Sequence, residues 1–123
     1  MASIAVVDDD PSIRRLLKTA FGREGHQCVP YASASAARQG WQRQTPDLIM
    51  LDVSLGDDNG IDVCRRLKGD PALRAVPVIL MTGEASAVEQ RLQGLGAGAD
   101  DYVLKPFDIV EVMLRVKAVL GRR

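Results

Sequence analysis

Five short apolar runs recur along the chain: Ile4–Val7, Cys28–Tyr31, Leu48–Leu51, Val78–Met81 and Tyr102–Leu104. Each has the length of a β-strand, and several are rich in β-branched residues. The stretches between them carry apolar residues at three- and four-residue steps, as in Ile13, Leu16, Leu17, Ala20 and Phe21, the spacing of an amphipathic helix. This alternation leaves few architectures open. A strand followed by a helix, repeated five times, builds a parallel sheet, because each helix carries the chain back across a face of the sheet. The expectation is a doubly wound α/β domain, (βα)5, with helices on both faces.

Local punctuation supports that reading. Asp10-Pro11 offers a capping acid followed by proline at a first helical position, and Gly22 and Gly25 lie near that helix's end. Ser33 or Ser35 is suited to cap a second helix running to about residue 44. A third is predicted from Asn59 or Gly60 to Lys68, a fourth over about 85–95 and a fifth over about 107–121. Pro30 falls inside the second strand. A proline removes a ladder donor, which suits an edge strand, and the second strand is at an edge in the common order 2-1-3-4-5. No repeat beyond the alternation and no internal linker interrupts residues 1–123, so one domain is expected to fill them.

Composition then narrows the function. Sixteen Lys and Arg balance sixteen Asp and Glu, and the basic residues do not cluster, which argues against direct nucleic-acid binding by this domain. Cys28 and Cys64 form neither a metal-ligand spacing nor a disulfide framework, as expected of free thiols in a reducing compartment. No apolar run approaches a membrane span, and the start MASIAVVDDD has no basic segment and no long apolar core of a signal peptide. A cytoplasmic protein without membrane contact is expected.

The strand ends carry the chemistry. Strand one runs into Asp8, Asp9 and Asp10, and strand three into Asp52. In the order 2-1-3-4-5 these strands are neighbours whose connections leave toward opposite faces, and the crevice beyond them is where open α/β sheets bind ligands. Asp10 is needed as the helix cap. Asp8 and Asp9 would face Asp52, and crowded carboxylates repel one another. A hard divalent cation offsets that repulsion, and Mg²⁺ suits a site of a few carboxylates, a carbonyl and waters. Strand four ends in Thr82 and strand five in Lys105-Pro106, placing a hydroxyl and an ammonium where an incoming phosphoryl group would be held.

Taken together, VVDDDP (6–11), PDLIMLDVSLGDDNGID (46–62), PVILMTGEA (77–85) and GADDYVLKPFD (98–108) resemble the receiver domain of two-component response regulators, from Ile4 to about Leu120. The resemblance implies a flavodoxin-like fold with Asp52 as phosphoacceptor. It implies Mg²⁺ held by Asp9 and Asp52, by Asp8 through water and by the backbone carbonyl of Ser54. Thr82 and Lys105 match the pair that grips the phosphoryl oxygens, and Tyr102 the aromatic residue that turns on activation. The Lys105–Pro106 bond would be cis. Ser54 and Glu84 flank the path of a hydrolytic water and would tune the lifetime of the phosphorylated state. The implied partners are a sensor histidine kinase or phosphotransfer protein, and an output domain or downstream target. The surface of helix four, strand five and helix five is the one that would respond and could pair with a second copy. Self-phosphorylation and autodephosphorylation, not turnover of a metabolite, would be the only chemistry. Residues 1–123 would be either a stand-alone regulator or the N-terminal part of a longer one.

Three departures stand out: Gly56 where the family often has Pro, Asn59 where it often has Asp, and Gly83 in place of a commoner Ala. The first two predict a looser loop after strand three, and the third more room beside the phosphoryl site. Three rival readings fare worse. An aspartate-nucleophile phosphatase or phosphotransferase would carry a second acid two residues after Asp52, where Ser54 stands. A flavin or nucleotide binder would want a Gly- or Ser-rich phosphate loop after strand one, where DDDPS stands. A degenerate receiver that only binds would lack one of the five key side chains, and all are present. His26 reads as a loop residue, Trp41 as partly packed, and Cys64 as core. Helix five is apolar beyond one stripe, with Ile109, Val110, Val112, Met113, Leu114, Val116, Val119 and Leu120, most of which are expected to be buried.

Overall fold

A computed structural model describes residues 1–83 and 87–122. The elements alternate without exception: β1 (Ser3–Val7), α1 (Pro11–Arg23), β2 (Gln27–Tyr31), α2 (Ala34–Arg43), β3 (Leu48–Asp52), α3 (Gly60–Gly69), β4 (Val78–Gly83), α4 (Ala87–Gly96), β5 (Asp101–Lys105) and α5 (Ile109–Gly121). The five strands form one parallel sheet in the order β2-β1-β3-β4-β5. Pro30 lies on edge strand β2, opposite Val6, where its missing donor costs least.

Helix starts follow side-chain chemistry. The Asp10 carboxylate accepts from the Ser12 amide at 2.9 Å, and Ser33 Oγ accepts from the Ala36 amide at 3.1 Å. Asn59 Oδ1 accepts from Ile61 at 2.8 Å. Asp108 caps α5 by accepting from Val110 at 2.8 Å, which is why that helix begins at Ile109, two residues later than apolar spacing alone suggests. The predicted start of the fourth helix falls at residues 84–86, outside the described residues.

Strand residues alternate between two cores, as side chains pointing to opposite faces must. Ala5, Val7, Ile49, Leu51, Val78 and Leu80 pack with α2 and α3 residues, including Ala34, Ile61 and Cys64. Ile4, Val6, Leu48, Met50, Ile79, Met81 and Val103 pack on the other face under Leu17 and Phe21 of α1 and Val112, Val116 and Val119 of α5. Residues Leu48–Leu51 have no exposed surface at all. Helix five is less buried than expected: Val112, Val116 and Val119 are buried, Ile109, Met113 and Leu120 are half-buried, and Val110 and Leu114 stand 64% and 63% exposed.

Trp41 corrects an expectation. It is not partly packed but buried, at 3% exposure, edge-on to Tyr31 with ring centroids 6.4 Å apart. The small residues Ala34 and Ala37, fully buried on the same helical stripe, let α2 approach the sheet closely enough to cover the indole. Its Nε1 has no hydrogen-bond partner among the described residues. His26 is a loop residue that fastens the N-terminus: its Nδ1 accepts from the Ala2 amide at 3.1 Å. Cys64 is buried with its thiol toward the Ala97 carbonyl. Among the described residues, no helix is long and apolar enough to cross a membrane.

Candidate functional site

Register brings the acids together. Val7 of β1 pairs with Leu51 of β3, so the next residues, Asp8 and Asp52, stand side by side at the carboxyl ends of the two strands. By alternation both continue the row that packs under α1 and α5: Ile4, Val6, Asp8 on one strand and Leu48, Met50, Asp52 on the other. Asp8 is fully buried and Asp52 is 5% exposed. Asp9 is exposed at the rim. The three carboxylates each offer an oxygen within 4.8 Å of the others.

The acidic triplet thus divides its work. The Asp8 carboxylate accepts from the Asp10 amide at 2.9 Å, while its backbone carbonyl accepts from the Arg14 guanidinium at 2.8 Å. Asp10 caps α1 and also accepts from the Ser12 hydroxyl at 2.7 Å, and that bond holds its carboxyl below the ordinary value. Asp9 is the member of the triplet left facing outward into the crevice.

A single ammonium balances the two buried acids. Lys105 Nζ lies 2.7 Å from Asp8 Oδ2 and 3.2 Å from Asp52 Oδ2. Burial works against the charged amine, but the Asp8 hydrogen bond and the two carboxylate charges outweigh it and raise its affinity for the proton. The Asp52 carboxyl is also raised, toward its neutral form: burial, then the charge of Asp8, raises its pKa against the opposing pull of Lys105 and the Ser54 amide, 3.2 Å from Oδ1. Among the described residues, Lys105 is the one cation paired with these carboxylates, which leaves three acids short of positive charge. That donor set, oxygen only and partly open to solvent, fits a hard divalent cation.

The remaining predicted residues fall around this centre. Met81 pairs with Asp52, so Thr82 on β4 lies one step beyond it, and Thr82 is 1% exposed. Thr82 and Gly83 pair in turn with Leu104 and Lys105 of β5. Tyr102 is half-buried, with the Arg115 guanidinium 5.6 Å above its ring. The Lys105–Pro106 bond is cis. Ser54 is exposed and forms an isolated bridge with Asn59 that closes the base of the loop after β3. Gly83 has open space where a side chain would begin, and Gly56 runs beside Asp9, its would-be Cβ 3.8 Å from Oδ2. Glu84 lies outside the described residues.

Two residues of that loop had no signal in the sequence beyond their acidity. Asp57 accepts from the α2 amides of Ala34, at 3.2 Å, and Ser35, at 3.1 Å. Asp58 pairs with Arg38 of α2, at 3.4 Å, and with Arg66 of α3. On β5 and α5, Asp101, Glu111 and Arg115 form a further linked set, Arg115 lying 2.9 Å from Asp101 and 3.0 Å from Glu111.

Comparison with known proteins agrees with the geometry. Residues 4–117 match the family described as response regulator receiver domain. The chain is 43% identical over 121 residues to the probable transcriptional regulatory protein TcrX of Mycobacterium tuberculosis, covering 98% of this chain and 50% of that protein. It is 39% identical over 122 residues to the phosphate regulon transcriptional regulatory protein PhoB of Rhizobium meliloti, covering 99% and 53%. The chain spans about half the length of the curated relatives it matches. A crystal structure of a putative response regulator from Chloroflexus aurantiacus superimposes with a TM-score of 0.92 at 29% identity, covering 98% of each chain. With its sheet order, its strand-end acids and lysine, and these relatives, the chain belongs to the response regulator receiver domain family of two-component signalling.

Proposed function

We propose that this domain is a phosphorylation-driven switch in which Asp52 takes a phosphoryl group from the phosphohistidine of a sensor histidine kinase or phosphotransfer protein. The carrying observation is the convergence of Asp8, Asp9 and Asp52 within 4.8 Å, with Lys105 against two of them. A carboxylate oxygen of Asp52 forms the new O–P bond while the P–N bond breaks. The electron pair leaves with the imidazole, which takes a proton from solvent, and an aspartyl phosphate remains. Phosphoryl transfer asks mainly for alignment and charge neutralisation. The rigid end of β3 aligns Asp52, and Lys105 supplies positive charge. Asp9, Asp52, the Ser54 carbonyl and, through water, Asp8 are the groups that would hold Mg²⁺. When bound, Mg²⁺ supplies further neutralisation of the phosphoryl oxygens. Water later cleaves the acyl phosphate, so the signal limits itself, and Ser54 and Glu84 would tune the lifetime of the phosphorylated state.

The output follows from Thr82 and Tyr102. Phosphoryl oxygens on Asp52 offer the Thr82 hydroxyl a strong acceptor, which draws the end of β4 inward and lets Tyr102 turn. The face of α4, β5 and α5 changes with it. Leu92, Leu95 and Leu104 are exposed on those elements, and this surface would meet a second copy, an output domain or a downstream target, in the cytoplasm. The relatives named above are transcriptional regulatory proteins, which favours a DNA-binding output beyond this domain. The test is incubation of wild type and Asp52→Asn with Mg²⁺ and a small acyl-phosphate donor, each protein then weighed intact. One phosphoryl group on wild type and none on the variant is expected; equal uptake by both would overturn the assignment. Chelating the metal should suppress uptake by wild type.

A further inference from the structure

The loop 53–59 leaves the end of β3, and its two ends are fixed independently of its tip. At the base, Ser54 bridges Asn59, and the Gly60 amide donates to the Val53 carbonyl at 2.8 Å. The tip reaches across to a different helix. The first backbone amides of a helix have no partner within it, and those of α2 are divided between two sources. Ser33, the helix's own cap, satisfies Ala36 at 3.1 Å. The two before it, Ala34 and Ser35, donate to the two oxygens of Asp57, at 3.2 and 3.1 Å. A carboxylate there is also favoured by the helix dipole. Asp58, next along, is shared between Arg38 of α2 and Arg66 of α3. Between base and tip, Gly56 passes beside Asp9, with a would-be Cβ 3.8 Å from its Oδ2. The loop is therefore suspended between the acidic cluster and α2, although it holds a glycine at its middle.

From this we infer that Asp57 is a positioning residue: by clamping the loop to the N-terminus of α2 it holds the Gly56 backbone beside Asp9, and so sets the affinity of the site for a divalent cation. Asp57 need not touch the cation to do so. Groups that orient metal ligands from behind commonly change affinity severalfold or more when removed. The inference rests on the phosphoacceptor reading above for the identity of the site, and it names a residue and a helix that reading does not require.

A control already built into α2 separates positioning from stability. Ser33→Ala removes a cap from the same helix terminus without touching the loop, and Asp57→Ala removes the clamp. Both should lower the melting temperature measured in chelator. In calorimetric titration with MgCl₂, Asp57→Ala should raise the half-saturating concentration about fivefold, Asp57→Asn should raise it less because one acceptor oxygen survives, and Ser33→Ala should leave it at the wild-type value. Phosphoryl uptake by Asp57→Ala should be weak at low Mg²⁺ and return to the wild-type rate at saturation. Unchanged Mg²⁺ affinity in Asp57→Ala, or an equal loss in Ser33→Ala, would overturn the inference. So would uptake that stays low at saturating Mg²⁺ in a folded Asp57→Ala protein. Failure of the phosphoacceptor reading shows separately, as uptake by Asp52→Asn equal to that of wild type, while the Mg²⁺ comparison still decides the role of Asp57. A wild type that binds no Mg²⁺ would overturn both.

Discussion

Asp52 occupies a position that its own charge destabilises. Burial first, and then Asp8, raise its carboxyl above the ordinary 3.8, and Lys105 only partly compensates. The linkage has a definite sign. Above the raised native value, the folded protein bears the cost of an ionised, crowded Asp52 that the unfolded chain does not share. A neutral isostere removes that cost. Asp52→Asn is therefore expected to melt higher than wild type at neutral pH in chelator, by roughly 4 °C if the relief is about 1 kcal/mol. The advantage should shrink as pH falls through the raised value and vanish below the ordinary one, where wild-type Asp52 is itself neutral. Thermal melts of the two proteins across that range measure it directly. A variant that melts lower at neutral pH would mean that the hold of Lys105 on Asp52 outweighs the crowding. The same chemistry explains why a site so costly in charge is kept: an acid already short of cations is well placed to recruit one.

At the scale of elements, the tightest joint in the site is between the end of β3 and the start of α3. A side-chain carbon at Gly60 would fall 2.0 Å from the Asp52 carbonyl oxygen and 2.8 Å from the Val53 Cα. Both are backbone atoms and cannot yield by rotating a side chain. Gly60→Ala must push α3 away from the strand that carries Asp52. We expect a loss of about 2 kcal/mol or more in chemical denaturation, together with slowed phosphoryl uptake. Wild-type stability in that variant would show that the helix start can shift without cost. The cap beside it is more forgiving. Asn59 accepts from Ile61 and Asp62 at 2.8 and 3.4 Å, as an aspartate would, so the departure from the commoner acid leaves the geometry of the cap intact. The other departure, Gly56, is offset in the same way, because the neighbouring Asp57 and Asp58 anchor the loop to α2 and α3.

For the whole molecule, most of the architecture was legible because its signals are local. Apolar runs mark strands, Asp10, Ser33 and Asn59 mark helix starts, and Pro30 marks an edge. The acidic ends of β1 and β3 could be read as one site once the strand order was fixed. What stayed hidden depends on contacts between distant segments. Nothing in the spacing of Asp57 and Ala34, 23 residues apart, indicates that a loop acid completes a helix terminus. Nor does the polar run around Trp41 show that Ala34 and Ala37 let α2 settle deeply enough to bury the indole. The burial of Leu48–Leu51 has one more consequence. β3 is hydrogen-bonded on both sides, to β1 and to β4, so its amides are expected to exchange with deuterium only when the domain unfolds as a unit. Phosphorylation should then leave the deuterium uptake of 48–51 unchanged and alter it in the loops beyond the strand ends and in α4, β5 and α5; accelerated exchange within 48–51 would contradict this. The strand that bears Asp52 is expected to be the still point of the domain, with any response carried by the segments attached to its far end.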